Sequence, residues 1–210
     1  MESEFWLDVW ERDHTPFHRS EANAALVAQF DALALTPGNR IFIPLCGKSK
    51  DISWLRDQGY AVAGAELSPL AITQLFEELG LTPIISEAGG LKRYSSDGLD
   101  IYVGDIFELE AKELGPVDAF YDRAALIALP PEMRKQYAAH LTLITNRAKC
   151  LLISLNYDQS KMDGPPFSVS ETEIRNLYGN DYKVTCLERT EVPDGIKGIT
   201  PGDETVWLLR

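Results

Sequence analysis

The sequence predicts an α/β fold: a doubly wound, mostly parallel sheet of seven strands, with an antiparallel strand near the C-terminus and a helical cover at the N-terminus. Three observations carry this reading. Short apolar runs of strand length alternate with helix-patterned segments along most of the chain. Those runs stop on glycine or on a polar residue, as strands of a buried parallel sheet do. Near the end the alternation lapses, and two strands follow each other across a Pro/Gly-rich stretch, 193–202, with no helix between them. So short a link suits an antiparallel neighbour better than a right-handed crossover.

The elements follow in order. Residues 2–12 carry Phe5, Trp6, Val9 and Trp10 at helical spacing and predict an amphipathic helix. Residues 21–33 predict a second helix, with Ser20 as N-cap and Leu26, Phe30 and Leu33 on one face. Together, 1–35 form the cover. Thr36-Pro37-Gly38-Asn39 is a turn. A buried strand over 40–45 leads through Cys46-Gly47-Lys48-Ser49 into a helix over 50–58, which Gly59 ends. The next strand is 60–66, followed by a helix over 69–79 that Gly80 ends. Residues 83–95 admit extra short strands around Ala88-Gly89-Gly90. Strands over 99–103 and 117–121 end at Gly104-Asp105 and Asp122-Arg123. A helix over 131–145, a strand over 148–155, a helix over 171–178 and strands over 182–190 and 204–209 complete the chain. No repeat or low-complexity linker divides it, so 1–210 is expected to be a single domain.

Charge narrows the partners. The chain has 32 acidic and 20 basic side chains, a formal net charge of −12, whereas nucleic acids and anionic membranes are held by Lys and Arg. A small molecule is the expected partner. No apolar run approaches the ~18 residues a membrane span requires. The acidic start, Met1-Glu2-Ser3-Glu4, lacks the basic and apolar regions of a signal peptide. Three widely spaced cysteines, Cys46, Cys150 and Cys186, form neither a disulfide framework nor a zinc pattern. A reducing cytoplasm is expected.

In open α/β sheets, ligands bind at the carboxyl ends of the strands, near the switch in strand order. Glu66 ends the second strand, 19 residues beyond Gly47. An acid at that place accepts hydrogen bonds from the ribose hydroxyls of a nucleoside; a solvated acid is the plainer alternative. The first turn has Gly47 alone, with Pro44 and Lys50 where a dinucleotide-binding loop would need glycine. Gly47-Lys48-Ser49 matches the end of a P-loop, but Phe42 replaces the first glycine. One glycine suits a nucleoside ligand with no phosphate, such as S-adenosylmethionine. Asp105 and Ile106 are placed to take an adenine amino group and cover the ring, though Asp105 alone also reads as a helix N-cap.

Other features are read plainly. His14 and His18 have metal-like spacing, but Pro16 between them argues against a regular helix, so zinc is not expected. Cys46 has no adjacent base and reads as a small buried side chain. Gly164-Pro165-Pro166-Phe167 is similar to the Asp/Asn-Pro-Pro-aromatic signature of amino-group methyltransferases, but has Gly in place of the amine-binding residue and follows a different strand. It reads as a rigid loop edging the substrate pocket.

These residues together carry a resemblance. Ile43-Pro44-Leu45-Cys46-Gly47-Lys48-Ser49 resembles the first-strand motif of the thiopurine S-methyltransferase family. The likeness continues through Trp6-Leu7-Asp8-Val9-Trp10 with Phe17-His18, Gly64-Ala65-Glu66-Leu67-Ser68, Tyr121-Asp122-Arg123-Ala124-Ala125-Leu126, and Leu155-Asn156-Tyr157-Asp158 with the Gly-Pro-Pro-Phe loop. The short form and acidic start look like the bacterial branch. The resemblance implies a Rossmann-like class I methyltransferase, monomeric and dependent on S-adenosylmethionine, that methylates sulfur in aromatic and heterocyclic thiols such as mercaptopurine. Bacterial relatives are linked also with selenium and tellurium detoxification. Carried over by position, Trp10, Leu45, Glu66 and Arg123 look like cofactor contacts, and Asp105 and Ile106 fall at the adenine; Gly47, from its own turn, is a candidate to let the cofactor's amino-acid part pass over it, against a simple tight turn. Asp8 falls where an acid near the acceptor is expected. Animal relatives have a longer, basic segment before the last strand; here 190–202 is short, with Lys197 its only base.

The cofactor carries the activated methyl, so the chain's task is alignment. Asp8 is a candidate proton acceptor, with a surface acid as its alternative. Arg123 is a candidate for orienting the cofactor carboxylate or a thiolate, against a structural ion pair with Asp122 or Asp118. Trp6, Trp10, Phe17 and Phe167 are candidates for an apolar cover around the acceptor, against core packing of the first helix. Two other functions stay open: methyl transfer to a different small nucleophile (a simple thiol, halide, selenium or tellurium species) and cofactor binding without catalysis. A nicotinamide oxidoreductase is remote without the further glycines.

Overall fold

A computed structural model describes residues 3–210. The expected start of the first helix at Glu2 lies outside the described residues. In chain order the elements are α1 (Ser3–Glu11), α2 (Ala24–Gln29), β1 (Arg40–Ile43), α3 (Lys50–Asp57), β2 (Ala61–Glu66) and α4 (Pro69–Glu78). Then come β3 (Ile84–Ala88), β4 (Leu91–Ser96), β5 (Leu99–Val103), α5 (Ala111–Leu114), β6 (Ala119–Asp122) and α6 (Pro131–Ile144). The chain closes with β7 (Lys149–Tyr157), α7 (Glu171–Tyr178), β8 (Val184–Glu191) and β9 (Gly202–Leu209).

The strands form one sheet in the order β3-β4-β5-β2-β1-β6-β7-β9-β8. Its centre, β5-β2-β1-β6-β7, is parallel throughout. The seven expected strands are all present, and the hairpin β3-β4 adds two more at the edge beside β5, turning at Gly89-Gly90. At the other edge the antiparallel strand is not the outermost. β9 runs antiparallel to both β7 and β8 and lies between them. Strand order reverses at β1: β2 pairs on one side of it and β6 on the other. The crevice beyond the carboxyl ends of β1 and β6 is therefore where a ligand belongs.

Alternation along the strands builds a core on each face of the sheet. Ile41 and Ile43 of β1, with Leu151 and Ile153 of β7, face a layer holding Leu26, Phe30, Leu33, Ile52, Ile72 and Phe76. Phe42, Phe120, Cys150 and Leu152, with Trp207 of β9, face the other way, onto Tyr137, Leu141 and Ile174. Burial of the 26/30/33 stripe matches the expected helical face, but the helix is shorter than 21–33. Asn23, not Ser20, caps it, accepting from the N–H groups of Ala25 and Leu26, and the last turn tightens into a 3-10 turn over Phe30–Leu33. The cap is selected from outside the helix, because the Asn23 N–H donates to Asp51 Oδ1 at 2.7 Å. The link from β5 to β6 carries a 3-10 turn, Ile106–Glu108, and the short α5, neither of which has a clear periodic signal. Among the described residues no helix is long and apolar enough to cross a membrane.

Candidate active site

One side of the crevice is built on strand tips. β1 ends at Ile43, two residues before the expected end, because Leu45 turns to φ 47°. A non-glycine side chain in that region is strained, and the strain sits at the mouth of the crevice. The Cys46 N–H donates to the Ala65 carbonyl at 2.9 Å and ties the turn to β2. Gly47 follows at φ +50°, and a Cβ there would lie 2.9 Å from the Trp10 ring. Only glycine satisfies both the backbone conformation and the close approach.

Glu66, 6% exposed, closes this side. Its Oε2 accepts from the Gly47 N–H and its Oε1 from the Ser68 N–H, each at 2.9 Å. Burial pushes its carboxyl above the ordinary range, while N–H groups of Ser68, Gly47 and Leu67 draw it back toward the ionised form. An ionised carboxylate offers about four lone-pair sites, so acceptor capacity remains for hydroxyl donors. The alternative of a solvated acid does not describe Glu66.

At the tip of β5, the Gly104 N–H donates to the Glu66 carbonyl at 2.9 Å. Asp105 is exposed and caps the 3-10 turn, its Oδ1 accepting from the Phe107 N–H at 3.0 Å. The capping role is thus realised through one oxygen only. Ile106 is buried, and its carbonyl meets His140 Nε2 at 2.8 Å.

Arg123 follows β6. It pairs with neither Asp118 nor Asp122. Asp118 accepts from the Arg40 N–H, and the buried Asp122 accepts from the Leu126 N–H and the Tyr137 hydroxyl. Arg123 instead donates from Nη2 to the Phe17 carbonyl at 3.2 Å and approaches Asp51 Oδ2 at 3.7 Å with Nη1. It therefore bridges the N-terminal cover and the scaffold. Asp51 and Asn23 complete this polar cluster. They carry no motif, and their partners lie far off in sequence, so only the fold discloses them.

The cover itself is aromatic. Phe17 stands edge-on to Trp6 at 5.9 Å and to Trp10 at 5.6 Å between ring centroids. Trp10 is buried and Trp6 half-buried, so core packing and cover are one arrangement. Beside Phe17, burial and then the Lys48 charge hold the His18 imidazole below its usual range; Lys50 and Arg123 act the same way and Glu78 opposes them. Asp8 is half-exposed and its Oδ1 meets Arg12 Nε at 2.7 Å. Phe167 has other neighbours: its N–H donates to the Ile127 carbonyl at 2.6 Å, and the Arg134 guanidinium lies 5.6 Å from its ring centroid.

This arrangement fits S-adenosylmethionine. The single glycine under an indole leaves backbone rather than side chain along the turn. A buried carboxylate with spare acceptor capacity stands at the second strand, and no glycine-rich phosphate cradle is present at this turn. Among the described residues no group of His, Cys, Asp and Glu is placed to hold a metal.

Comparison with known proteins places the chain. A family model described as "Thiopurine S-methyltransferase" matches residues 1–210. The chain is 50% identical over 211 residues to a thiopurine S-methyltransferase of Xanthobacter autotrophicus, covering 100% of this chain and 99% of that one. It is 48% identical to one of Gluconobacter oxydans, covering 97% and 92%. Among solved structures, a magnesium protoporphyrin IX methyltransferase from Synechocystis with bound S-adenosylhomocysteine superposes with a TM-score of 0.67 at 15% identity, covering 100% of both chains. A Burkholderia thailandensis N-methyltransferase acting on 1,6-didemethyltoxoflavin gives 0.66 at 14% identity, covering 99% of this chain and 86% of that one. Both share the fold alone. On its sequence, and on a class I methyltransferase fold, the chain belongs to the thiopurine S-methyltransferase family.

Proposed function

We propose that this chain methylates the sulfur of aromatic or heterocyclic thiols, with S-adenosylmethionine as methyl donor. The observation that carries this reading is the Glu66 carboxylate at the tip of β2, buried and held on one oxygen by the Gly47 N–H and on the other by the Ser68 N–H. Bound there, the cofactor supplies a methyl group already activated on a sulfonium.

The chain's own residues supply position. Glu66 accepts the ribose hydroxyls, Asp105 through its second oxygen takes the adenine amino group, and Ile106 covers the ring. Leu45 and Gly47 present backbone to the amino-acid part, beside the Trp10 indole that packs on Gly47. Arg123 orients the carboxylate pole and, through the Phe17 carbonyl, holds the cover against it. Trp6, Phe17 and Phe167 exclude water and flank a planar acceptor. Alignment of this kind supplies about 7–11 kcal/mol of a displacement barrier. An aromatic thiol is substantially ionised near neutral pH, so Asp8 as proton acceptor makes only a modest contribution.

A second acceptor class is weighed by charge. A cavity of about 650 Å3 beyond the end of β7 is lined by Asp158, Glu191, Asp194 and Asp203. Lys197, the base of that loop, is turned away and donates to the Pro165 carbonyl. Those four carboxylates repel a doubly charged selenium or tellurium oxyanion more strongly than a singly charged thiolate. We place the reaction in a single cytoplasmic domain acting as a monomer; free thiols at Cys46, Cys150 and Cys186 suit a reducing compartment. Incubation with methyl-labelled cofactor and a panel of thiols, selenide and tellurite tests the reading. Transfer to aromatic thiols is expected; retention of label without transfer would leave only a cofactor-binding module.

A further inference from the structure

We propose that Arg134 is a positioning residue for the acceptor wall, holding the 164–168 loop so that the Phe167 ring keeps one place. Arg134 lies in the first turns of α6 and is 1% exposed. Its fork reaches three separate segments. Nε donates to the Leu129 carbonyl at 2.8 Å, and Nη1 to the Ser168 carbonyl at 3.2 Å and to Glu173 Oε1, in the first turn of α7, at 2.7 Å. The guanidinium carbon lies 5.6 Å from the Phe167 ring centroid, within cation–π range.

The loop's other hydrogen bonds leave the Phe167 ring itself untouched, the one from Lys197 to the Pro165 carbonyl included. Phe167 donates its N–H to Ile127, Tyr157 donates its hydroxyl to the Pro166 carbonyl at 2.6 Å, and Ser168 meets Gln159 and Tyr157. Those contacts fix the loop backbone and the Ser168 hydroxyl, whereas Arg134 engages the Phe167 ring. Gly164 completes the fit, since a Cβ there would stand 2.5 Å from that ring.

Stability alone does not account for an arginine here. A buried guanidinium carries a desolvation cost that well-packed apolar residues avoid, and Nη2 has no hydrogen-bond partner. What the planar fork supplies is simultaneous geometry at a carbonyl, a loop and a carboxylate, which neither Lys nor Met reproduces.

This inference rests on the proposed role of Phe167 at the acceptor, and the test separates the two. Arg134→Lys keeps the buried cation and loses the fork. Its KM for thiophenol is expected to rise about tenfold, the scale of a reacting partner slightly misplaced. KM for ethanethiol and the calorimetric Kd for S-adenosylhomocysteine should stay within about twofold of wild type. Phe167→Ala should raise the thiophenol KM similarly, and the double variant should be no worse than Phe167→Ala alone. If Phe167→Ala raises KM and Arg134→Lys does not, the assignment of Arg134 falls and that of Phe167 stands. If neither raises it, the role of Phe167 falls and takes the inference with it. Equal losses for both thiols and for S-adenosylhomocysteine would make Arg134 merely structural and overturn the proposal. Glu173→Gln leaves Arg134 in place and should shift the thiophenol KM the same way by less; it carries the test should Arg134→Lys not fold.

Discussion

The proposed donor and acceptor sides of the crevice are made differently. The donor side stands on the tips of β1, β2 and β5, and its internal bonds are short-range or between adjacent strands: Gly47 to Glu66, Ser68 to Glu66, Gly104 to the Glu66 carbonyl. The acceptor side is assembled from a helix, loops and rings. Its ties run between loops rather than between neighbouring strands, as from Arg123 to Phe17 and from Lys197 to Pro165. A side made from strand tips has little freedom to change without disturbing the sheet. A side made from loops can be reshaped while the donor site stays intact. This is how one fold serves many acceptors: the donor geometry belongs to the sheet, and the acceptor geometry to what is laid over it.

Four measurements would break or sharpen this contrast. The largest effect is expected at Glu66. Glu66→Ala removes charge-assisted acceptors, each about 1.5–3 kcal/mol, and should weaken S-adenosylhomocysteine about a thousandfold by calorimetry. Unchanged affinity would remove Glu66 from the donor side. Next is Asp122, at the tip of β6 between the two sides. Burial pushes its carboxyl from 3.8 to about 6. The native state then holds this proton more tightly than the unfolded chain, so stability falls as pH rises from about 4 to 6 and stays lower above that, by about 3 kcal/mol. Asp122→Asn should remove that component from urea unfolding measured across this range; a pH slope equal to wild type would refute it. On the acceptor side, Phe17→Ala removes the ring between Trp6 and Trp10. KM for aromatic thiols should rise about tenfold with little change in S-adenosylhomocysteine binding; equal loss of both would merge the two sides. Smallest is Asp8. Its half-exposed carboxylate meets Arg12, and Asp8→Ala should lower kcat about threefold, well short of a full general base. A pH–rate profile identical to wild type would exclude Asp8 as a proton acceptor.

The same contrast sets what can be read from the chain before folding. β2 and β5 appear within a residue of their expected ends, because an apolar run that stops on Glu66 or on Gly104-Asp105 marks its own tip. Leu45, Gly47, Glu66, Asp105 and Arg123 do lie at strand tips or in the turns that follow. Partnership is what local pattern does not encode. Ser20 is as good an N-cap as Asn23 until Asp51 is folded against the Asn23 N–H. Asp118 and Asp122 are nearer to Arg123 in sequence than Asp51, yet Asp51 is the one beside it. Arg134 lies within the expected 131–145 helix with nothing local to single it out; the docking of α7 and the 164–168 loop buries it.

The placement of β9 governs the order in which the molecule is made. β7 gains its second neighbour, and β8 its only one, from a strand that leaves the ribosome after both. Until residues 202–209 have emerged, β7 presents an open hydrogen-bonding edge and β8 has nothing to pair with. Trp207 and Leu209, which enter one core, and Val206 and Leu208, which enter the other, are supplied in that same final step. A released chain truncated just before Gly202 should therefore be protease-sensitive, even though the strands bearing Glu66 and Arg123 are all present.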